Sequence, residues 1–146
     1  MIDQRAKGSR NEMIVRDLYF DDMGAPLKRE LQQVRTGQLG DLVPDGDFDW
    51  PFTIEVKSRS AKMLNVVHSP DWWRQTTQAA EAAGNKPVLW YKFDRREWRV
   101  VMLLQDVVNA FNEDHTLTLQ RAATLTMSPF THFYIAREIL AQRAAE

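Results

Sequence analysis

The succession of elements between residues 52 and 104 constrains the fold more than any other feature of this sequence. Phe52, Ile54 and Val56 alternate with Thr53, Glu55 and Lys57. Successive strand side chains point to opposite faces, so this stretch reads as a strand with one apolar face and one face free for chemistry. Ser69-Pro70 then reads as a helix start, a serine cap with proline at the first helical position, and Gly84 as its stop about four turns later. Residues 86–93 and 98–104 carry Val88, Leu89, Val100 and Val101 on either side of Asp94-Arg95-Arg96-Glu97, the pattern of a hairpin. A strand, a crossover helix and another strand imply parallel pairing, and the hairpin adds an antiparallel neighbour. The expected fold is therefore α/β, a single domain with a central mixed β-sheet flanked by helices.

The flanking segments extend this frame. Residues 9–22 read as a helix, with Ser9 as N-cap, Glu12 at the capping-box position and Ile14 with Leu18 as an apolar stripe, ended by Gly24 and Pro26. Residues 27–35 suit a helix face or an edge strand, with a lean towards strand. Residues 39–43 read as a strand antiparallel to 52–57, because the intervening Pro44-Asp45-Gly46-Asp47 is rich in turn formers. Residues 106–112 suggest a short helix. Ser128-Pro129 repeats the earlier start signal, and Phe130, Phe133, Ile139 and Leu140 would give the final helix an apolar side. With 146 residues, 44% of them hydrophobic, one domain spanning residues 1–146 is expected. Its motif-bearing core would cover about 7–104, with a C-terminal helical extension over about 105–146. There is no cysteine, so disulfides, zinc-thiolate clusters and thiol catalysis are excluded, and metal chemistry must use oxygen or imidazole. No stretch approaches the length of a membrane span, and a cytoplasmic protein is expected.

Charge is distributed unevenly. The net charge of −1 lacks the basic excess of a nucleic-acid coat. From Asp41 to Glu55 every charged residue is acidic, namely Asp41, Asp45, Asp47, Asp49 and Glu55, and directly afterwards come Lys57, Arg59 and Lys62. Acid beside base suits a cation pocket flanked by phosphate contacts, with ordinary surface charge as the alternative. Hydrolysing a phosphodiester requires a hard divalent cation to offset developing negative charge and a group that orients the attacking water. Magnesium accepts one or two carboxylates with carbonyls and water, so Asp41 and Glu55 on neighbouring strands would suffice. The two-residue step from Glu55 to Lys57 puts carboxylate and ammonium on one strand face, roughly 6.5–7 Å apart along the backbone. Taken alone, such a triplet reads as a surface ion pair on a half-exposed strand.

Four motifs in order narrow the choice: KGSRNE (Lys7 to Glu12), GDLV (Gly40 to Val43), IEVKS (Ile54 to Ser58) and, on the following helix, WWRQ (Trp72 to Gln75). Together they resemble the PD-(D/E)xK nuclease superfamily, with its restriction-endonuclease-like core. Their order is most similar to the archaeal-type Holliday junction resolvases and small phage endonucleases, and the resemblance spans Lys7 to about Val101. It implies that Asp41 and Glu55 ligate Mg2+, with Mn2+ as a substitute, that Lys57 positions the nucleophilic water, and that Glu12 adds an acidic group to the metal site. It implies a glutamine on the helix after the lysine strand, for which Gln75 fits better than Gln78 because it lies at the margin of the Trp72, Thr76, Ala79, Ala80 and Ala83 face. The proline that precedes the first acid in the superfamily pattern is replaced here by Gly40.

Rival roles stand beside these. Glu12 would equally serve as the reciprocal half of a capping box with Ser9. Arg35, Arg59, Lys62 and Arg74, with Arg29, are candidate phosphate contacts or solvated surface charges, Arg35 being the preferred contact. Most of the five tryptophans suit core packing, and His68, His115 and His132 lack ligand spacing. The function expected is a magnesium-dependent endonuclease acting on DNA, with branched junctions among its candidate substrates, in a bacterial or phage-infected cell. Two coordinated cuts in a junction would need a symmetric homodimer, for which the surface around Phe130 and Phe133 is a candidate interface. The other classes are a non-catalytic nucleic-acid-binding or structural module on the same fold, and an unrelated enzyme using the carboxylates for acid-base work.

Overall fold

A computed structural model describes residues 4–30, 40–60, 69–112 and 123–146. In chain order the elements are α1 (Gln4–Met23), β1 (Leu27–Arg29), β2 (Leu42–Pro44), β3 (Phe52–Arg59), α2 (Pro70–Ala83), β4 (Lys86–Phe93), β5 (Arg99–Leu103), α3 (Leu104–Phe111), β6 (Thr124–Met127) and α4 (Pro129–Ala145). The six strands form one sheet in the order β1-β2-β3-β4-β5-β6. Only β3 and β4 run parallel, from Phe52 opposite Lys86 to Arg59 opposite Phe93; the other neighbours are antiparallel. The mixed sheet is thus the one implied by the strand, helix, strand order.

Alternation along β3 and β4 decides which helix covers which face. Phe52, Ile54, Val56, Val88 and Trp90 join Val15 and Tyr19 of α1, Ala110 of α3 and Phe133, Ile135 and Ile139 of α4 in one core. Leu89, Tyr91 and Val101 face the opposite way and pack against Trp72 of α2. α2 begins and ends where the sequence says: Ser69 Oγ accepts the Asp71 N–H, Pro70 opens the helix, and Gly84 closes it at φ 69°. Because α2 lies over the Thr53–Glu55–Lys57 face, that face is not open. Thr53 and Glu55 are 1% and 2% exposed, so Glu55 is a buried carboxyl on a central strand.

Three expectations are corrected. α1 runs through Gly8 and Ser9, so Ser9 is interior to the helix and no capping box with Glu12 forms. Lys7 Nζ donates to Asp94 Oδ1 at 2.6 Å and Asn11 Nδ2 to Ser58 Oγ at 2.8 Å, holding the first turns against the sheet where intrinsic propensity would let them fray. The segment beyond residue 104 is not an appendage: β6 completes the sheet, and His132, Phe133, Ile135, Ala136 and Ile139 of α4 are buried. Phe133, only 3% exposed, is therefore not available for a dimer surface, whereas Phe130 is 79% exposed and contributes nothing to the core. His115 and His68 lie outside the described residues, as do Leu31 to Leu39. Among the described residues, no helix is long and apolar enough to cross a membrane.

A buried polar chain runs through the core. Trp90 Nε1 donates to Tyr19 Oη at 2.8 Å, Tyr19 Oη lies 2.6 Å from His132 Nε2, and His132 Nδ1 lies 3.2 Å from Met102 Sδ. With Trp90 a donor only, Tyr19 must donate onward to His132, whose proton then sits on Nδ1 and points at sulfur. Burial favours the neutral ring and pushes His132 down from 6.5 to about 3. Between those values the unfolded chain binds a proton that the folded chain refuses, so stability should fall as pH drops. The expected loss is about 2 kcal/mol between pH 6.5 and pH 5. Urea unfolding across this range should show it, and His132→Gln should flatten the dependence; an equal slope in both proteins would refute the assignment.

Candidate active site

The site forms where β2 parts from β3. Leu42 pairs with Ile54, but one residue earlier the ladder changes character. Asp41 N–H donates to Ile54 O at 2.7 Å, its own carbonyl accepts the Glu30 N–H at 3.0 Å, and its carboxylate Oδ2 accepts the Val56 N–H at 2.7 Å. A side chain thus occupies a hydrogen-bonding position on β3 that a continuing strand would fill with backbone. This aims the Asp41 carboxyl along β3 towards Glu55, and the two carboxyl groups share a hydrogen bond. Gly40 makes the approach possible: it sits at φ 78°, and a Cβ there would lie 2.8 Å from Ile54 O and 3.0 Å from Thr53 Cγ2.

Electrostatics follow from this packing. Burial raises the Asp41 carboxyl above its ordinary value, opposed by the Val56 N–H, the hydrogen bond with Glu55, and the charges of Lys57 and Arg29. Two carboxyls in contact need a proton or a cation between them, because a pair of bare anions in a dry pocket repels strongly. Lys57, two residues beyond Glu55 on the same face, is partly exposed and near enough to act on both Asp41 and Glu12. Glu12 approaches from α1, its Oε2 accepting from Arg29 Nε at 2.6 Å. Burial raises Glu12 too, with Arg29 opposing and the Asp41 charge adding to the rise.

Asp41, Glu55 and Lys57 therefore come together, with Glu12 at the rim. Glu12 is committed to Arg29, and among the described residues no three Asp, Glu or His side chains cluster closely enough to hold an ion jointly. Gln75 is exposed at the margin of the α2 face that buries Trp72 and Thr76. The Arg59 guanidinium stands 5.2 Å over the Trp72 ring, and Arg74 pairs with Asp71 at 2.6 Å on the exposed side of α2. Arg35 and Lys62 lie outside the described residues. Arg29 is the partner the sequence reading missed, having been weighed only as a phosphate contact. Its signal was the two-residue spacing from buried Leu27, which turns both towards α1.

A family described as "Phage putative PDDEXK endonuclease" matches residues 3–134. The chain belongs to this family. Protein D14 of Escherichia phage T5 is 28% identical over 144 aligned residues, covering 88% of this chain and 90% of that protein. Among solved structures, Archaeoglobus fulgidus Hjc, a Holliday junction resolvase from an archaeal hyperthermophile, superposes with a TM-score of 0.47 at 19% identity over 88% of each chain. The match to the family reaches into α4, which agrees with β6 and α4 being integral to the domain.

Proposed function

We propose that the chain is a magnesium-dependent endonuclease that hydrolyses DNA phosphodiester bonds at Asp41, Glu55 and Lys57. The observation that carries this reading is the contact between the Asp41 and Glu55 carboxyls at the parting of β2 and β3, with Lys57 beside them. A proton-sharing pair of hard oxygen donors is a place where a divalent cation can stand instead, and Asp41 and Glu55 would hold it with water completing its shell. When bound, magnesium supplies positive charge to phosphate oxygens and lowers the pKa of a coordinated water. The side chains supply the rest. Lys57 orients the attacking water by hydrogen bonding and offsets charge that builds on the phosphate. The incoming oxygen forms a new P–O bond as one ester P–O bond breaks, and the departing oxygen leaves as a hydroxyl after taking a proton. Glu12, held by Arg29, adds an acidic group beside Asp41 and Lys57, and Gln75, Arg59 and Arg74 are candidates for contacts with the substrate from α2 and the end of β3. Four-way junctions belong among the substrates to be tried, and resolving them would need two such sites in a homodimer.

The decisive assay incubates the purified protein with linear duplex, single-stranded and four-way-junction DNA, with magnesium, manganese or chelator. Cleavage with either metal and none with chelator supports the reading, and the preferred substrate emerges from the same experiment. Binding without cleavage of any DNA or RNA would instead make the chain a non-catalytic module. Independently of activity, magnesium at ten times its Kd should stabilise the fold by about 1.4 kcal/mol, which corresponds to roughly 3–6 °C in Tm. Glu55→Gln should abolish that increment, and an unchanged shift in this variant would remove the ion from the acidic pair.

A further inference from the structure

Near the C-terminal end of β3, α1 and the turn after β4 enclose an open groove of about 450 Å³. Lys7, Arg10 and Asn11 form one wall, and Lys92, Asp94 and Arg95 form the other. Hydrogen bonds seat both walls against the end of β3. Asn11 donates to Ser58 Oγ at 2.8 Å, one residue past Lys57, and the Asp94 N–H donates to Arg59 O at 2.9 Å. Lys7 pairs with Asp94 at 2.6 Å, tying the walls together and balancing the one carboxylate among these residues. The remaining cations Arg10, Lys92 and Arg95 give the groove a positive excess in a chain whose net charge is −1. Lys92 is restrained, its Nζ standing 5.4 Å over the Trp98 ring.

Arg95 adds an independent observation. It is the only non-glycine at positive φ among the described residues, at 65°, a conformation that glycine or asparagine adopts at lower cost. The turn itself does not require arginine, since its Arg96 N–H to Phe93 O bond of 2.9 Å is made by backbone alone. An unfavourable backbone state bearing a cation at the wall of this groove points to the side chain as the reason for the residue.

We propose that this groove holds the phosphate backbone of duplex DNA alongside the cleavage point, with Arg10, Lys92 and Arg95 as positioning residues. The assignment rests on the nuclease reading of Asp41, Glu55 and Lys57 and adds a path for the substrate along α1. Phosphate contacts release counterions, so each lost contact reduces the slope of log affinity against log salt by about 0.9.

The test measures binding of a labelled duplex to the full chain over a series of salt concentrations, with chelator present so that no cut depletes it. Arg10→Ala, Lys92→Ala and Arg95→Ala should each lower the slope by about one and the triple variant by about three, while Arg143→Ala, on the far end of α4, leaves it unchanged. Arg95→Gly gives a readout that a structural role would not: Tm equal to or above wild type, together with weaker DNA binding. If the wild type cleaves DNA and the triple variant binds with unaltered slope and affinity, the groove assignment is overturned and the nuclease reading survives. If the wild type neither binds nor cleaves DNA, both fall.

Discussion

Lys57→Ala should slow DNA cleavage by about 10²- to 10⁴-fold, the usual contribution of a group that orients or moves a proton in the rate-limiting step, while Tm stays close to that of the wild type. The expectation rests on position. Lys57 is two residues past Glu55 on the same face of β3, and unlike Glu55 it is only partly buried, so shortening it opens no core cavity. Its charge acts on both Asp41 and Glu12, so the ammonium lies within electrostatic reach of the two carboxyls. Lys57→Arg should recover only part of the rate, because a planar guanidinium keeps the charge but cannot present a point donor from the same place. Single-turnover cleavage with saturating protein separates chemistry from binding. A Lys57→Ala rate within threefold of wild type would take the catalytic role away from this residue.

Gly40→Ala should destabilise the fold by about 2–4 kcal/mol and remove most of the cleavage activity, although residue 40 carries no functional group. Two costs combine. An alanine at φ 78° is strained by about 1–2 kcal/mol. Its Cβ would also stand 2.8 Å from the Ile54 carbonyl oxygen, a backbone atom in the middle of the sheet that cannot swing aside. Relief would come by moving β2 away from β3, which breaks the Asp41 N–H to Ile54 O and Val56 N–H to Asp41 carboxylate bonds of 2.7 Å. Proline is excluded more strongly, since its ring fixes φ near −65°. The glycine that departs from the superfamily's proline is therefore required by the backbone path taken here. Denaturant unfolding and cleavage at a temperature where both proteins are folded would check this. Wild-type stability and activity in Gly40→Ala would show that the close approach is not needed.

What the sequence revealed and what it hid divide along physical lines. β3, α2 and β4 were legible because their signals are local: a period-two pattern in residues 52–57, proline after a serine cap, and glycine at a left-handed stop. Asp41, Glu55 and Lys57 were legible as residue types in order, but their contact depends on the side-chain substitution in the β2–β3 ladder, which no spacing encodes. β6 was missed because Thr124–Met127 buries only Met127 and takes its pairing from the backbone of β5. The start of α1 was misplaced because Gly8 and Ser9 are locally poor helix residues overruled by Lys7–Asp94 and Asn11–Ser58. Phe130 and His132 exchange the roles that hydrophobicity alone would give them. The histidine is buried because Tyr19 satisfies it, and the phenylalanine stays outside because its side of α4 faces no neighbour in the core.

The Trp90–Tyr19–His132–Met102 chain has a consequence for how the protein comes into being. It joins a residue of α1 to one of α4 across 113 positions, and the helix it anchors is the one that carries Glu12 and one wall of the basic groove. While a nascent polypeptide is still being extended on the ribosome, Tyr19 has no histidine to receive its hydroxyl proton, and α1 has no α4 to pack against. This link can close only after translation has passed residue 132, so the packing of α1 against α4 is among the last parts of the core to form.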